Sequence, residues 1–291
     1  MKIILNKLFL SFLLLIQFSF TQPDANTYYE SGVKSIKSKD YIKAIGDFTN
    51  AVSMRANYAE AYLQRAKAKI LLGEQMGFVN SEACGDLVMA MRYGNKEAVD
   101  LLEKNCMGEC FDSKLAFDEP DMVYCGDFSN KVLYEIPTDV SKLVNVVKIS
   151  LFNNKLTKLS ERISPLYTLI SLDVSSNKIT EVSPEISKLN ALRELNLSKN
   201  LITELPYEFG NLTELRFLNL RSNMLAQLPK SVARCKNLQV LDLSLNKLTT
   251  LPIEVATMKS LKELNLVGND IPKDKQAVIS SLLPNTKIYF E

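Results

Sequence analysis

The side chains that could carry chemistry in this chain are few in kind. Histidine is absent, which removes the base of the usual nucleophile–base pairs and the imidazole ligands of most metal sites. No GxxxxGK(S/T), GxSxG or GxGxxG run occurs, so neither a phosphate cradle nor a hydrolase elbow has support. Asp173, Glu194, Asp242 and Glu263 recur at related places in a repeat; they leave two readings, a carboxylate-based hydrolase or solvated surface. Cys106 and Cys110 form a CxxxC with no second ligand pair at finger-like spacing, so zinc has no support and no cofactor is expected. A net charge of +2 over 291 residues gives no reason to invoke nucleic acid or an acidic membrane.

What would position any such group is a fixed period. Asn154, Asn177, Asn200, Asn223, Asn246 and Asn269 stand 23 residues apart, within runs of the form LxxLxLxxNxL. Starting units at Val146, Leu169, Leu192, Leu215 and Leu238 makes positions 1, 4, 6, 11, 14, 18 and 21 apolar in every one. The first unit supplies Val146, Ile149, Leu151, Leu156, Leu159, Ile163 and Leu166; the fourth supplies Leu215, Leu218, Leu220, Leu225, Leu228, Val232 and Cys235. Positions 4 and 6 alternate as in a strand, and the second half, LPxxIxxL, is spaced like a helical turn. Each unit therefore predicts a strand, a turn and a short return segment. One unit cannot bury its apolar side alone, so neighbours stack into a solenoid with a shared core. The inward-facing turns need a side chain that both donates and accepts, which makes the asparagines a structural ladder.

These units, for instance LRELNLSKNLITELPYEFGNLTE at 192–214, resemble the leucine-rich repeat of the 23-residue LPxxIxxL type. The resemblance covers 123–291 and implies an α/β solenoid, a horseshoe with parallel strands on its concave face. The unit from Val123, with Ile136, Pro137, Val140 and Leu143, keeps the second half but replaces the strand pattern with VYCGDF, as a capping repeat would. From about 272 a helix with Val278, Ile279, Leu282 and Leu283, then a strand at 287–290, is expected to close the other end.

The chain before residue 123 is different in kind. Residues 1–21 hold Lys2, Lys7 and then LFLSFLLLIQFSF, a signal-peptide core that is short for a membrane span. Cleavage before Gln22 is one outcome and retention as an anchor the other; no later stretch is apolar enough to cross a bilayer. From 25 to 107 the pattern is helical, and AIGDFTNA at 44–51 recurs as ACGDLVMA at 83–90. This resembles tetratricopeptide repeats: Tyr28, Gly32, Ala44, Phe48 and Ala51, then Tyr62, Ala66, Ala83, Leu87 and Ala90. The run GEQMGFVNSE is expected to lengthen the second inter-helix loop, and a helix at 96–104 to cover the open face. Residues 108–122 are expected to be a linker. A short leader followed by small repeat modules resembles bacterial exported proteins, whether periplasmic, cell-surface or secreted.

In an exported chain Cys84, Cys106, Cys110 and Cys125 are disulfide candidates. Cys84 near the start of one helix and Cys106 at the end of the next fall side by side in an antiparallel hairpin, which favours their pairing. Cys110 and Cys125 would then staple the linker to the first unit. Cys235, at an apolar repeat position, stands in for leucine.

Function must then lie on surfaces. Positions 3, 5, 7 and 8 project outward from the strand face. There Phe217, Arg221, Val240 and Leu245 come from two adjacent strands and make an apolar patch with an arginine, of the composition that anchors protein interfaces; scattered surface hydrophobes are the other reading. Phe152 and Lys199 extend the candidate partner-binding set. The resemblance to both repeat families implies a non-catalytic scaffold for a protein or peptide partner. The alternative is adhesion, or recognition of a glycan or host molecule, through exposed aromatics such as Phe152 and Phe217.

Overall fold

The computed structural model describes residues 23–77, 82–108, 110–118 and 120–291, so the leader expected at 1–21 lies outside them. The chain divides into two compact units, one ending at Ala83 and the other beginning at Cys84.

The first unit holds α1 (Ala25–Lys37), α2 (Tyr41–Met54) and α3 (Ala59–Met76). Asp24 and Asp40 start the first two helices by accepting from the backbone N–H of Thr27 at 2.7 Å and of Lys43 at 3.1 Å. The helices approach closely at Gly32, where an added Cβ would stand 2.6 Å from the ring of Phe48. Phe48, Ala44, Ala51, Ala61, Leu63 and Ala66 are fully buried. Of the run expected to lengthen a loop, 73–76 continue α3, which stops at Gly77, whose φ of 77° suits a helix end; 78–81 lie outside the described residues.

The second unit opens with α4 (Glu82–Arg92) and α5 (Glu97–Asn105), tied by a disulfide between Cys84 and Cys106. The segment 108–122 is more than a linker. It forms β1 (Phe111–Asp112) and α6 (Ser113–Asp118), and Ala116 enters the repeat core. β1 pairs in parallel with β2 (Cys125–Asp127), and Cys110 is bonded to Cys125. VYCGDF thus keeps a strand in which a small and a large residue replace two medium ones: Gly126 takes the position where the later units have isoleucine or leucine, and the fully buried ring of Phe128 fills the space beside it.

From there the sheet adds one strand per unit: β3 (Lys148–Ser150), β5 (Ser171–Asp173), β7 (Glu194–Asn196), β8 (Phe217–Asn219), β9 (Val240–Asp242) and β10 (Glu263–Asn265). The sheet is parallel throughout, each unit's register shifting by one repeat so that Leu172 faces Leu195 and Leu195 faces Leu218. Every apolar position assigned from the period is buried, in one continuous cluster from Ala116 to Leu283. The return segments are single 3-10 turns such as Tyr207–Asn211 and Lys230–Arg234. On that side β4 (Lys158–Leu159) and β6 (Glu181–Val182) make a second sheet of only two strands. Its extent follows from proline. The N–H of Ser183 donates to the carbonyl of Leu159 at 2.9 Å, and the next units have Pro206, Pro229 and Pro252 at that position, with no N–H to continue the ladder. At the far end α7 (Lys273–Leu282) buries Ile279, and β11 (Lys287–Tyr289) pairs with β10.

The asparagines join consecutive units. Asn200 donates through Nδ2 to the carbonyls of Leu197 and Ser198 in its own unit and of Val174 in the preceding one, at 3.0, 3.2 and 3.1 Å. Its Oδ1 accepts from the backbone N–H of Ile179, again one unit back, at 3.0 Å. The other five form the same bridge; Asn154 accepts from Leu133 of the cap, and Asn269 from Leu248.

Two outcomes follow for stability and thiol chemistry. Asn200→Ala orphans backbone groups on both sides of a unit boundary and should cost about 1–3 kcal/mol in denaturant unfolding. Asn269→Ala, at a half-exposed site, should cost less because water reaches the freed groups; an unchanged midpoint for Asn200→Ala contradicts the ladder. Burial pushes the Cys235 thiol up to about 12, so at pH 8 a soluble alkylating agent should leave the native protein unlabelled. After unfolding without reductant, mass spectrometry should find one labelled thiol; five labelled thiols would exclude the disulfides.

Candidate protein-binding face

The strand face is built from columns, one residue per unit. Position 5 carries Ser150, Asp173, Asn196, Asn219, Asp242 and Asn265. Most of these side chains serve the backbone: Oδ1 of Asp173, Asn196, Asn219, Asp242 and Asn265 accepts from the N–H two residues on, at 2.8 to 3.1 Å. Where position 7 is serine, its hydroxyl donates to the same oxygen, as from Ser175 to Asp173 and from Ser244 to Asp242, both at 2.6 Å. Glu194 accepts from Ser171 Oγ at 3.0 Å. Three of the four candidate catalytic carboxylates are therefore engaged in holding the strand and its turn, and Glu263 stands exposed.

Position 8 has a backbone constraint of its own. To aim each following asparagine inward the chain turns through the left-handed region at Asn153, Ser176, Lys199, Ser222 and Leu245, with φ between 54° and 56°. The last unit has Gly268 there, at φ 71°. Asparagine and glycine suit this conformation; leucine does not.

Against that framework the candidate residues separate. Phe217 and Val240 are direct cross-strand partners, and Phe217 is 41% exposed. Arg221 replaces the column's serine and forgoes its bond to position 5; its guanidinium reaches across to Ser244 Oγ at 3.5 Å. Leu245 is 44% exposed, and its Cδ2 lies over Gly268, only 2.6 Å from where a Cβ would stand. These four residues form one patch over β8 and β9. Phe152 is 39% exposed but follows β3, three strands from β8, about 14 Å away. Lys199, exposed beyond β7, borders the patch through its N–H, which donates to the carbonyl of Arg221 at 2.8 Å.

One functional feature was not read from the sequence. At position 2 the column runs Val147, Ile170, Arg193, Arg216, Gln239 and Lys262. Arg193 is only 5% exposed, and its Nη1 bonds to Asp100 at 2.6 Å and Glu103 at 2.7 Å on α5. Arg216 lies 3.6 Å from Asp100, and Arg92 on α4 donates to the carbonyl of Val144 at 2.6 Å and to Asn145 Oδ1 at 3.0 Å. The helical hairpin is thereby fastened to the repeats, which explains why it falls in the second unit and not with α1–α3. The signal was available: the column changes from Val147 and Ile170 to Arg193 and Arg216, and Asp100 and Glu103 lie on one face of a helix.

Residues 184–283 match the family described as Leucine-rich repeat region, and 168–189 the Leucine Rich Repeat family. No curated protein matches the chain. Among solved structures, a leucine-rich repeat protein of Leptospira interrogans is 24% identical with a TM-score of 0.42, the match covering 71% of this chain and 62% of that one. An internalin from Listeria monocytogenes is 20% identical at a TM-score of 0.48, covering 58% of this chain and 48% of its own. A plant peptide hormone receptor is 28% identical at a TM-score of 0.44, covering 47% and 23%. The chain thus spans less than two thirds of the length of each. The matched stretch, 168–283, holds five of the six ladder asparagines, and it is a leucine-rich repeat region.

Proposed function

We propose that the chain is an exported, non-catalytic scaffold that captures a protein or peptide on the strand face of its repeats, through Phe217, Arg221, Val240 and Leu245. One observation carries this: Leu245 holds a left-handed backbone while exposing an apolar side chain, at a position where the other units place asparagine, serine, lysine or glycine. Two departures from the scaffold's preferences, Leu245 and Arg221, fall beside the cross-strand pair of exposed Phe217 and half-buried Val240. Surface scatter would not concentrate them on two strands. Export is supported by the leader-like run at 1–21 and by two disulfides, which persist in oxidising compartments. Among the described residues no helix is long and apolar enough to cross a membrane. We also read α1 and α2 as a tetratricopeptide-like pair, on the close approach of Gly32 to Phe48, and assign it a supporting contact role.

The tests separate binding from folding. Phe217→Ser combined with Arg221→Glu should abolish capture of the partner from envelope extract while the thermal unfolding curve is retained; undiminished capture sinks the patch. Leu245→Asn should stabilise the protein by about 0.5–1 kcal/mol through relief of backbone strain, yet weaken capture. A variant that is destabilised, or binds as before, removes the observation on which this reading rests. Binding on a glycan array that depends on Phe152 and Phe217 would instead favour the adhesion reading.

A further inference from the structure

The parallel sheet ends at β11, and among the described residues no strand lies beyond it. Successive residues of a strand turn their backbone groups to opposite sides. Lys287 and Tyr289 spend theirs on β10: the N–H of Lys287 donates to the carbonyl of Lys262 at 2.8 Å, and the carbonyl of Tyr289 accepts from the N–H of Leu266 at 2.7 Å. The N–H and carbonyl of Ile288, and those of Phe290 next in the alternation, therefore face away from the sheet. The side chains of Ile288 and Phe290 lie half-buried against the end of the repeat core.

An open edge invites pairing, and proteins usually guard it with proline, a bulge or charge of one sign. This edge reads Lys287, Ile288, Tyr289, Phe290, Glu291: an apolar centre, with a cation on one side of Tyr289 and an anion equally far along on the other. Laid antiparallel against itself about Tyr289, the segment is self-complementary. Ile288 of one copy stands opposite Phe290 of the other, and each such pair exchanges both N–H···O bonds through the groups that face outward. Lys287 of one copy stands opposite Glu291 of the other on one face of the sheet, so opposite charges meet at both ends of the ladder. Lys287 already holds its ammonium on that face, 4.9 Å from the centre of the Tyr289 ring. Sliding the register by two residues keeps the backbone bonds and loses the charge pairs. The backbone groups would accept any strand; the symmetric charges select another copy of this one.

We propose that β11 pairs with β11 of a second copy, antiparallel and centred on Tyr289, joining two sheets into one across a two-fold axis. The contact does not depend on the partner-binding patch. Where that reading also holds, the two β9 strands lie about 24 Å apart, and the dimer presents the patch twice on one continuous face.

The experiment is sedimentation of the full mature chain from about 1 µM to about 500 µM, since so small a contact belongs to the weak class. The expected result is a reversible monomer–dimer equilibrium. Ile288→Pro removes an N–H that faces away from β10 and should leave the chain monomeric with its thermal unfolding retained. Glu291→Lys, beyond the strand, should weaken the dimer about tenfold because the reversed pair occurs twice; adding Lys287→Glu should restore it. Tyr289→Cys should crosslink the copies under mild oxidation, because the central pair brings its Cα atoms to about 4.5 Å, within disulfide reach, whereas Lys287→Cys should not. A chain monomeric throughout, a dimer indifferent to Ile288→Pro, charge reversal without loss or without rescue, or crosslinking through residue 287 and not 289 would each overturn the proposal. A chain that stays monomeric and takes an unrelated strand peptide at this edge overturns it as well. Where Ile288→Pro fails to fold, the charge exchange decides alone.

Discussion

The repeat region depends on a carboxamide held between two turns. A stacked coil of short units must bring a polar turn indoors at every level, and each turn presents carbonyls and an N–H that neither strand nor 3-10 segment can satisfy. Asparagine meets both needs with one short side chain. Because its Oδ1 and Nδ2 reach the preceding unit as well as its own, each asparagine also couples neighbours. Cooperativity along the array therefore has a polar component alongside the shared leucine core.

That requirement propagates outward. To aim the asparagine inward the preceding residue must turn left-handed, and it is thrown onto the surface at the rim of the strand face. To hold the turn, position 5 must offer an oxygen to the backbone, which occupies side chains that would otherwise look like a polar or catalytic stripe. The ends need different remedies. At the start, β1, the Cys110–Cys125 bond and the Phe128–Gly126 exchange close the core; at the finish, α7 and β11 do so with apolar contacts and strand pairing.

The period made most of this legible, because burial at positions 4, 6 and 11 and the asparagine bridge are properties of every unit and repetition separates them from chance. What was not legible depended on a single unit or on chain outside the period. Arg193 reads as a surface residue until Asp100 and Glu103, some ninety positions earlier in sequence, are known to lie against it. The strand in VYCGDF was obscured because Gly126 and Phe128 put a glycine and a phenylalanine where the pattern expects two aliphatic side chains. The two-strand limit of the second sheet was written in Ser183 and Pro206, but only as an absent N–H, which carries no hydropathy signal.

The patch residues themselves follow from asking which columns remain free once the scaffold is served. In the full units positions 4 and 6 must stay apolar and position 9 asparagine, or core or bridge is lost. Position 7 admits it at the cost of one hydroxyl bond, and Arg221 makes that exchange while Ser244 in the next unit keeps its own bond to Asp242 and still receives the guanidinium. Position 8 admits it at the cost of backbone strain, which Leu245 accepts and Gly268 relieves; the glycine also makes room for the leucine side chain. The departures at Arg221, Leu245 and Gly268 thus support one another across adjacent units, joining Phe217 and Val240 into a surface that the repeat alone does not require.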